Sequence, residues 1–244
     1  DLAVAALTGG DRPALVAGTR PARLPLSPAQ QRMWFLNRFD RTSAAYNIPL
    51  ALRLSGDLDE RALAAALRDV VARHESLRTV YPEIGGEPAQ VILPVERVHI
   101  DTTAVPVAED ALPQRIRELF GTGFDVTADV PVRVRVFELA RDEHVLAAVL
   151  HHICADGSSI VPFVADLMRA YEARVRSDEP GWSPLPIQYA DYALWQKRLL
   201  GAEDDAESVA ARQIAFWRET LAGLPDQLDL PTDRPRPARQ SLHG

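Results

Sequence analysis

The residues of this chain with the most chemical potential stand together as His151-His152-Ile153-Cys154-Ala155-Asp156-Gly157. An imidazole takes and gives protons close to neutrality, with an ordinary pKa of about 6.5. Proton transfer by one of the pair is therefore one reading; a structural pair, or part of a metal site, are the others. Adjacent residues of a strand point to opposite faces, so the two imidazoles diverge. No HExxH pattern or converging carboxylate set accompanies them, and no metal is expected. Asp156 lies at a turn into a helix, where a carboxylate can cap the helix. If it is buried instead, it needs an arginine partner, because an uncompensated buried charge is strongly destabilising. Gly157 suits a backbone with positive φ or a close approach of another group. Cys154 is the only cysteine. That excludes an intrachain disulfide framework and a cysteine-rich zinc site. Proton transfer by a histidine needs no thiol, so Cys154 is given no chemical part.

The elements that must hold this run are legible from pattern. Residues 144–153 are almost wholly apolar and predict a core strand. Residues 130–139 alternate strictly, with Arg133 and Arg135 on one side and Val132, Val134 and Val136 on the other, and predict its neighbour. Residues 46–56 predict a third strand, with Leu50, Leu52 and Leu54 on one face. A helix follows the histidine run, started by Ser158 or Ser159. The clearest helix starts at Asp59 and carries Leu63, Leu67, Val70 and Val71 at helical spacing. Ser27 predicts an N-cap, with Pro28 at the first helical position and Gln30 completing a capping box. Gly85-Gly86 marks a hairpin turn within 77–94. Residues 99–103 read as a short extended piece, residues 108–120 as a helix, and two further helices are expected at 189–200 and 206–223. Helices and hairpins alternate irregularly and no internal repeat is present. The fold class expected is therefore α/β, a two-layer sandwich of mixed sheet and helices.

Composition narrows the function classes. The 244 residues are 47% hydrophobic and 25% charged, enough apolar material for a real core and ordinary for a globular chain. The net charge of −7 offers no footprint for nucleic acid. No apolar run reaches the ~20 residues of a membrane helix, and the first residues lack the basic end of a signal peptide. A cytoplasmic setting is expected. Proline is abundant, 19 residues, concentrated towards both ends and in the middle loops. A helix tail at Leu2 to Leu7 followed by a Pro- and Gly-rich tether is expected at the start, and a linker at the Pro- and Arg-rich end.

His151 to Gly157 matches HHxxxDG, a motif of nonribosomal peptide synthetase condensation domains and their chloramphenicol acetyltransferase-like relatives. Three other runs resemble motifs of that family in the family's order: LSPAQQRMWFL at 26–36, RHESLRTVY at 73–81 and YADYALWQ at 189–196. The resemblance covers about residues 24–240. It implies a chloramphenicol acetyltransferase-like lobe, the amino-terminal one of two that enclose a tunnel. Phosphopantetheine arms of donor and acceptor peptidyl carrier domains enter that tunnel from opposite ends. The acceptor's aminoacyl amine attacks the donor's acyl or peptidyl thioester, forming a peptide bond. No cofactor is bound tightly; substrates arrive on the carrier arms. The partners implied are the two carrier domains, a carboxy-terminal lobe and an adjacent adenylation domain, with no nucleic acid and no membrane.

The same resemblance assigns roles. His152 is the catalytic residue at the tunnel centre, and His151 is structural on the opposite face. Asp156 holds the loop through a salt bridge to an arginine of the second motif, Arg73 or Arg78. Gly157 either lends its amide to the oxyanion or leaves room for substrate. Ser158 departs from the tryptophan that many members carry. The domain plan expected is an upstream linker at 1–23, the lobe at 24–230 and the start of an interlobe linker at 231–244. An isolated chain of this plan is expected to be inactive. Two rivals stay open: an epimerisation domain, and a lobe without catalysis that docks carrier or partner proteins.

Overall fold

The computed structural model describes residues 13–225, 231 and 233–235. The expected helix tail at Leu2 to Leu7 and most of the Pro- and Arg-rich end lie outside the described residues. The chain divides into two compact units, residues 15–195 and residues 1–14 with 196–244.

In chain order the helices are α1 (Pro28–Phe39), α2 (Glu60–Arg73), α3 (Leu112–Phe120), α4 (Ile160–Val175), α5 (Tyr189–Leu200) and α6 (Val209–Thr220). The strands are β1 (Asn47–Ser55), β2 (Thr79–Val80), β3 (Glu83–Ile84), β4 (Glu87–Pro88), β5 (Val91–Ile92), β6 (Ala104–Pro106), β7 (Val132–Ala140) and β8 (Glu143–His151). A four-stranded sheet runs in the order β1-β8-β7-β6. The first three strands are antiparallel and β6 joins β7 in parallel. The mixed α/β class follows from sequence pattern, with β8 central and buried from Val145 to His151 because apolar residues occupy both of its faces.

Alternation decides which side chains meet which layer. Val132, Val134, Val136, Leu146, Ala148 and Leu150 face α2 and α4 and build the main core with Leu63, Leu67, Val70, Phe163 and Leu167. Val145, Ala147 and Phe137 point the other way, against Leu112 of α3. Further along that face Val149 and Ile153 meet Leu26, Met33, Tyr81, Phe124 and Val126. Caps set where the helices begin. Ser27 accepts from the Gln30 amide while the Gln30 side chain accepts from the Ser27 amide, the capping box expected. Asp59 caps α2 through the Ala62 amide.

Two expectations moved. The piece at 99–103 stays irregular, because the Asp101 carboxylate takes the Thr103 amide at 3.1 Å, and the strand forms just after it as β6. The helix expected from 108 begins at Leu112, with residues 108–111 in a turn and Pro113 within its first turn. In the smaller unit α6 is capped by Ser208, whose hydroxyl also donates to the Ala202 carbonyl at 2.6 Å.

Candidate active site

β8 ends at His151, and the chain turns at once. The Cys154 amide returns to the His151 carbonyl at 3.0 Å. His151 and His152 then part company as their adjacency requires. His151 is 2% exposed and packs edge-on to Phe124, ring centroids 5.9 Å apart. Its Nδ1 accepts the Ile153 amide at 3.1 Å, so the proton of the neutral ring sits on Nε2. Burial, and then the neighbouring charges of His152 and Arg133, push its pKa down to about 4. His151 is therefore neutral and fixed. His152 is exposed, and its backbone amide donates to the Tyr46 carbonyl at 2.9 Å. Of the pair, only His152 can meet a reactant from solvent.

Cys154 lies between them and the helix. Its thiol donates to the His151 carbonyl at 3.1 Å and the Pro131 carbonyl at 3.4 Å. Burial raises its pKa to about 12, so it holds no thiolate near neutrality.

Asp156 has a different job from the salt bridge expected. It is exposed and caps the short 3-10 turn Gly157–Ser159 that feeds α4. The Ser159 amide and hydroxyl both donate to its Oδ1, at 3.0 and 2.7 Å, and the Ser159 hydroxyl accepts the Asp156 amide. The Ser159 hydroxyl is the first cause holding this carboxyl below its ordinary range. A solvated, doubly bonded carboxylate needs no cation. Neither candidate arginine is paired with it. Arg73 donates to Asp166 at 3.0 Å and to the Ser183 carbonyl at 2.7 Å, and lies 4.7 Å over the Trp182 ring. Arg78 donates to the Leu93 carbonyl at 2.6 Å and stands 3.8 Å from Glu75. Gly157 does not use the positive-φ region. A Cβ there would meet nothing within 4 Å, so the loop presents open space on that side.

The other motif runs converge on this loop. Tyr81, fully buried, receives the Gln30 side-chain amide at 3.2 Å and donates to the Ile153 carbonyl at 3.4 Å. The Trp34 indole donates to the Tyr81 carbonyl at 2.8 Å. Ser27 and Tyr189 share a hydrogen bond of 2.9 Å. The run at 73–81 thus holds the loop that carries His152 through Tyr81, the run at 26–36 holds Tyr81, and the run at 189–196 holds Ser27. Tyr81 was not singled out in the sequence, although it closes the second motif. Asp166, which holds Arg73 and also His74 Nε2 at 2.7 Å, had no signal beyond its place on a helix. Among the described residues no group of three or more His, Cys, Asp or Glu could hold a metal ion, and no helix is long and apolar enough to cross a membrane.

A family model described as "Condensation domain" matches residues 22–244. The chain is 49% identical over 243 residues to the isonitrile lipopeptide synthase of Mycobacterium tuberculosis (strain ATCC 25618 / H37Rv), covering 97% of this chain and 10% of that protein. It is 50% identical over 232 residues to the dimodular nonribosomal peptide synthase of Bacillus subtilis (strain 168), covering 95% of this chain and 10% of that one. Among solved structures, the X-domain seen in complex with OxyB from teicoplanin biosynthesis is 45% identical, with a TM-score of 0.85, covering 93% of this chain and 49% of that chain. The starter condensation domain of rhizomide synthetase matches with a TM-score of 0.70 at 17% identity, covering 84% and 49%, a likeness of fold alone. The chain therefore spans about a tenth of these curated relatives and about half of these solved domains.

Proposed function

This chain belongs to the condensation-domain family, and from that premise we propose that it is the amino-terminal lobe of a domain that forms peptide bonds between carrier-bound thioesters. The observation that carries the proposal is the division of labour at 151–152. One imidazole is locked neutral in the core, and the next is exposed on a loop held by Tyr81, which is itself held by Gln30 and Trp34. In this reading the acceptor's amine nitrogen attacks the donor thioester carbonyl. The C–N bond forms, the C–S bond breaks, and the donor arm leaves as a thiolate.

His152 orients the amine through a hydrogen bond, accepts its proton as attack proceeds and returns one to the leaving sulfur. Strong base catalysis is not required. A free α-amine has a pKa of about 7.7–8.0, so an appreciable fraction is neutral near pH 7. The larger share of the acceleration comes from holding two tethered reactants together. The donor and acceptor carrier domains, a second lobe and a neighbouring adenylation domain are the partners of this reading, in a cytoplasmic assembly. No tightly bound cofactor is invoked.

The test is transfer between loaded carrier domains by the complete domain, read by intact-protein mass. His152→Ala should keep its folded spectrum and lose product by a factor of about 10²–10⁴, the usual range for removing a general acid–base group. Near-normal turnover would remove His152 from the chemistry. A second reading is a lobe that docks partner proteins without catalysis. It is favoured by the 45% identity to an X-domain solved in complex with OxyB. Transfer by the wild-type domain would set it aside. No observation favours epimerisation.

A further inference from the structure

The end of the four-stranded sheet away from the histidine loop holds a cavity of about 290 Å³. Leu146, which lines it, precedes His151 on β8 by about 17 Å at the usual rise of a strand, so the hollow is separate from that loop. Leu63 and Leu146, both buried, and the half-buried Leu54, Leu58 and Met168 give it an apolar lining. Tyr171 lines it too, and its hydroxyl is fixed by accepting the Asp59 amide at 3.0 Å. An apolar hollow of this size with few polar groups at the edge stands at the lower bound of small-ligand sites, near ~300 Å³.

Two charged residues line the same cavity, Arg53 and Asp57. The Arg53 guanidinium donates to Glu143 and to Glu109, each at 2.7 Å, so its positive charge is already answered. Asp57 follows Gly56, where a φ of 111° and an amide bond to the Asp142 carbonyl at 2.8 Å turn the chain out of β1. The Asp57 carboxylate is exposed and has neither a hydrogen bond nor an ion pair among the described residues. One cation thus stands against Asp57, Glu109 and Glu143, and the mouth is net negative. A fatty acid or a phosphate would be repelled there. An organic cation fits: its apolar body leaves water, its charge meets the free carboxylate, and the Tyr171 ring face attracts it as well.

We propose that this cavity is a second small-molecule site, remote from His152, and that it takes a primary ammonium on a compact apolar body, such as an arylalkylammonium ion. The apolar body is buried against Leu63, Leu146 and Met168, and the ammonium pairs with the Asp57 carboxylate. The inference goes beyond the condensation reading and does not depend on it.

The methionines make the test direct, because the chain has two of them. Met168 lines the cavity, whereas Met33 packs in another core cluster with Leu26 and Tyr81. The full chain with isotope-labelled methionine methyl groups is titrated with phenethylammonium chloride and followed by NMR, the two signals being assigned with Met33→Leu and Met168→Leu. The Met168 signal should move to saturation while the Met33 signal stays in place. Phenethyl alcohol has the same apolar body without the charge, and Asp57→Asn removes the charge from the protein. Each should weaken binding by about 2- to 5-fold, the scale of an exposed ion pair. Asp57 is exposed, so its variant keeps the fold. Methylammonium, which lacks the apolar body, should give no saturating shift over the same range. A Met168 signal that never saturates, or a Met33 signal that moves with it, overturns the site. Equal affinity for the alcohol and the ammonium, or an affinity unchanged in Asp57→Asn, overturns the cation as its ligand.

Discussion

His151 shows how a buried histidine makes itself felt in stability rather than in reaction. Its pKa in the folded chain is about 4, against about 6.5 when unfolded. Between these values the unfolded chain binds the proton more readily than the folded one, so folding must give it up. The stability tied to the neutral ring is fully present above pH 6.5 and drains away as pH falls towards 4, by about 3 kcal/mol in all. Asp156, Asp125 and Asp191 have carboxyls held below their ordinary range, and their protonation acts below that window. Urea midpoints measured from pH 7 to pH 4 should fall for wild type and stay nearly level for His151→Phe. That variant starts from a lower midpoint, because the Ile153 amide loses its acceptor. A pH slope unchanged by the substitution would refute the assignment. Alternation showed that the two imidazoles must part; which one is structural came from the family resemblance alone, since burial depends on Phe124 and Tyr46 closing over one of them.

Among the elements, strands β7 and β8 and helices α2 and α4 were legible because periodicity and caps are local properties. What was not legible is what the capping segments do at a distance. α1 reads as an amphipathic helix with a capping box, yet its buried Gln30 reaches Tyr81, and Tyr81 reaches the carbonyl of Ile153 in the histidine loop. For Asp156 the pattern offered a helix cap and the resemblance an arginine; the cap to Ser159 is what forms, and a carboxylate within reach of local amides needs nothing from elsewhere in the chain. Gly123 passed unremarked because a lone glycine carries no pattern. Its missing Cβ is what lets the chain pass Arg41 and Thr42, whose backbone atoms would lie 2.6 Å from it. The bracing makes its own prediction. Tyr81→Phe keeps the ring in the core but strips the hydroxyl from both Gln30 and Ile153. It should cost about 1–2 kcal/mol of stability in denaturant unfolding. An unchanged midpoint would mean that the Tyr81 hydroxyl does not hold the loop.

At the scale of the whole chain, the informative segment is the one that looked least structured. Residues 1–23 carry the proline, glycine and alanine of a tether, and the family resemblance puts the expected lobe from residue 24. The structure fixes part of that stretch. Arg20 forms two hydrogen bonds to Asp191, at 3.0 and 3.1 Å, and a third to Glu75 at 2.8 Å. Leu24 pairs with Gln90 as a single antiparallel bridge. Asp191 is only 3% exposed and also accepts the Gln188 amide at 2.8 Å, so Arg20 is the counter-charge that makes its burial tolerable. No local pattern could reveal this, because the partner stands 171 positions along the chain. Arg20 therefore ties the stretch ahead of α1 to residues 75 and 191 of the larger unit. A chain starting at Leu15 keeps that clasp, and one starting at Leu24 lacks it together with the exposed Arg23–Glu87 pair, which contributes little. The shorter should lose about 3 kcal/mol, the scale of a buried ion pair deprived of one partner. Arg20→Gln in the longer chain should reproduce most of that loss. Equal unfolding midpoints for all three would show that the tether contributes nothing and return the boundary to residue 24.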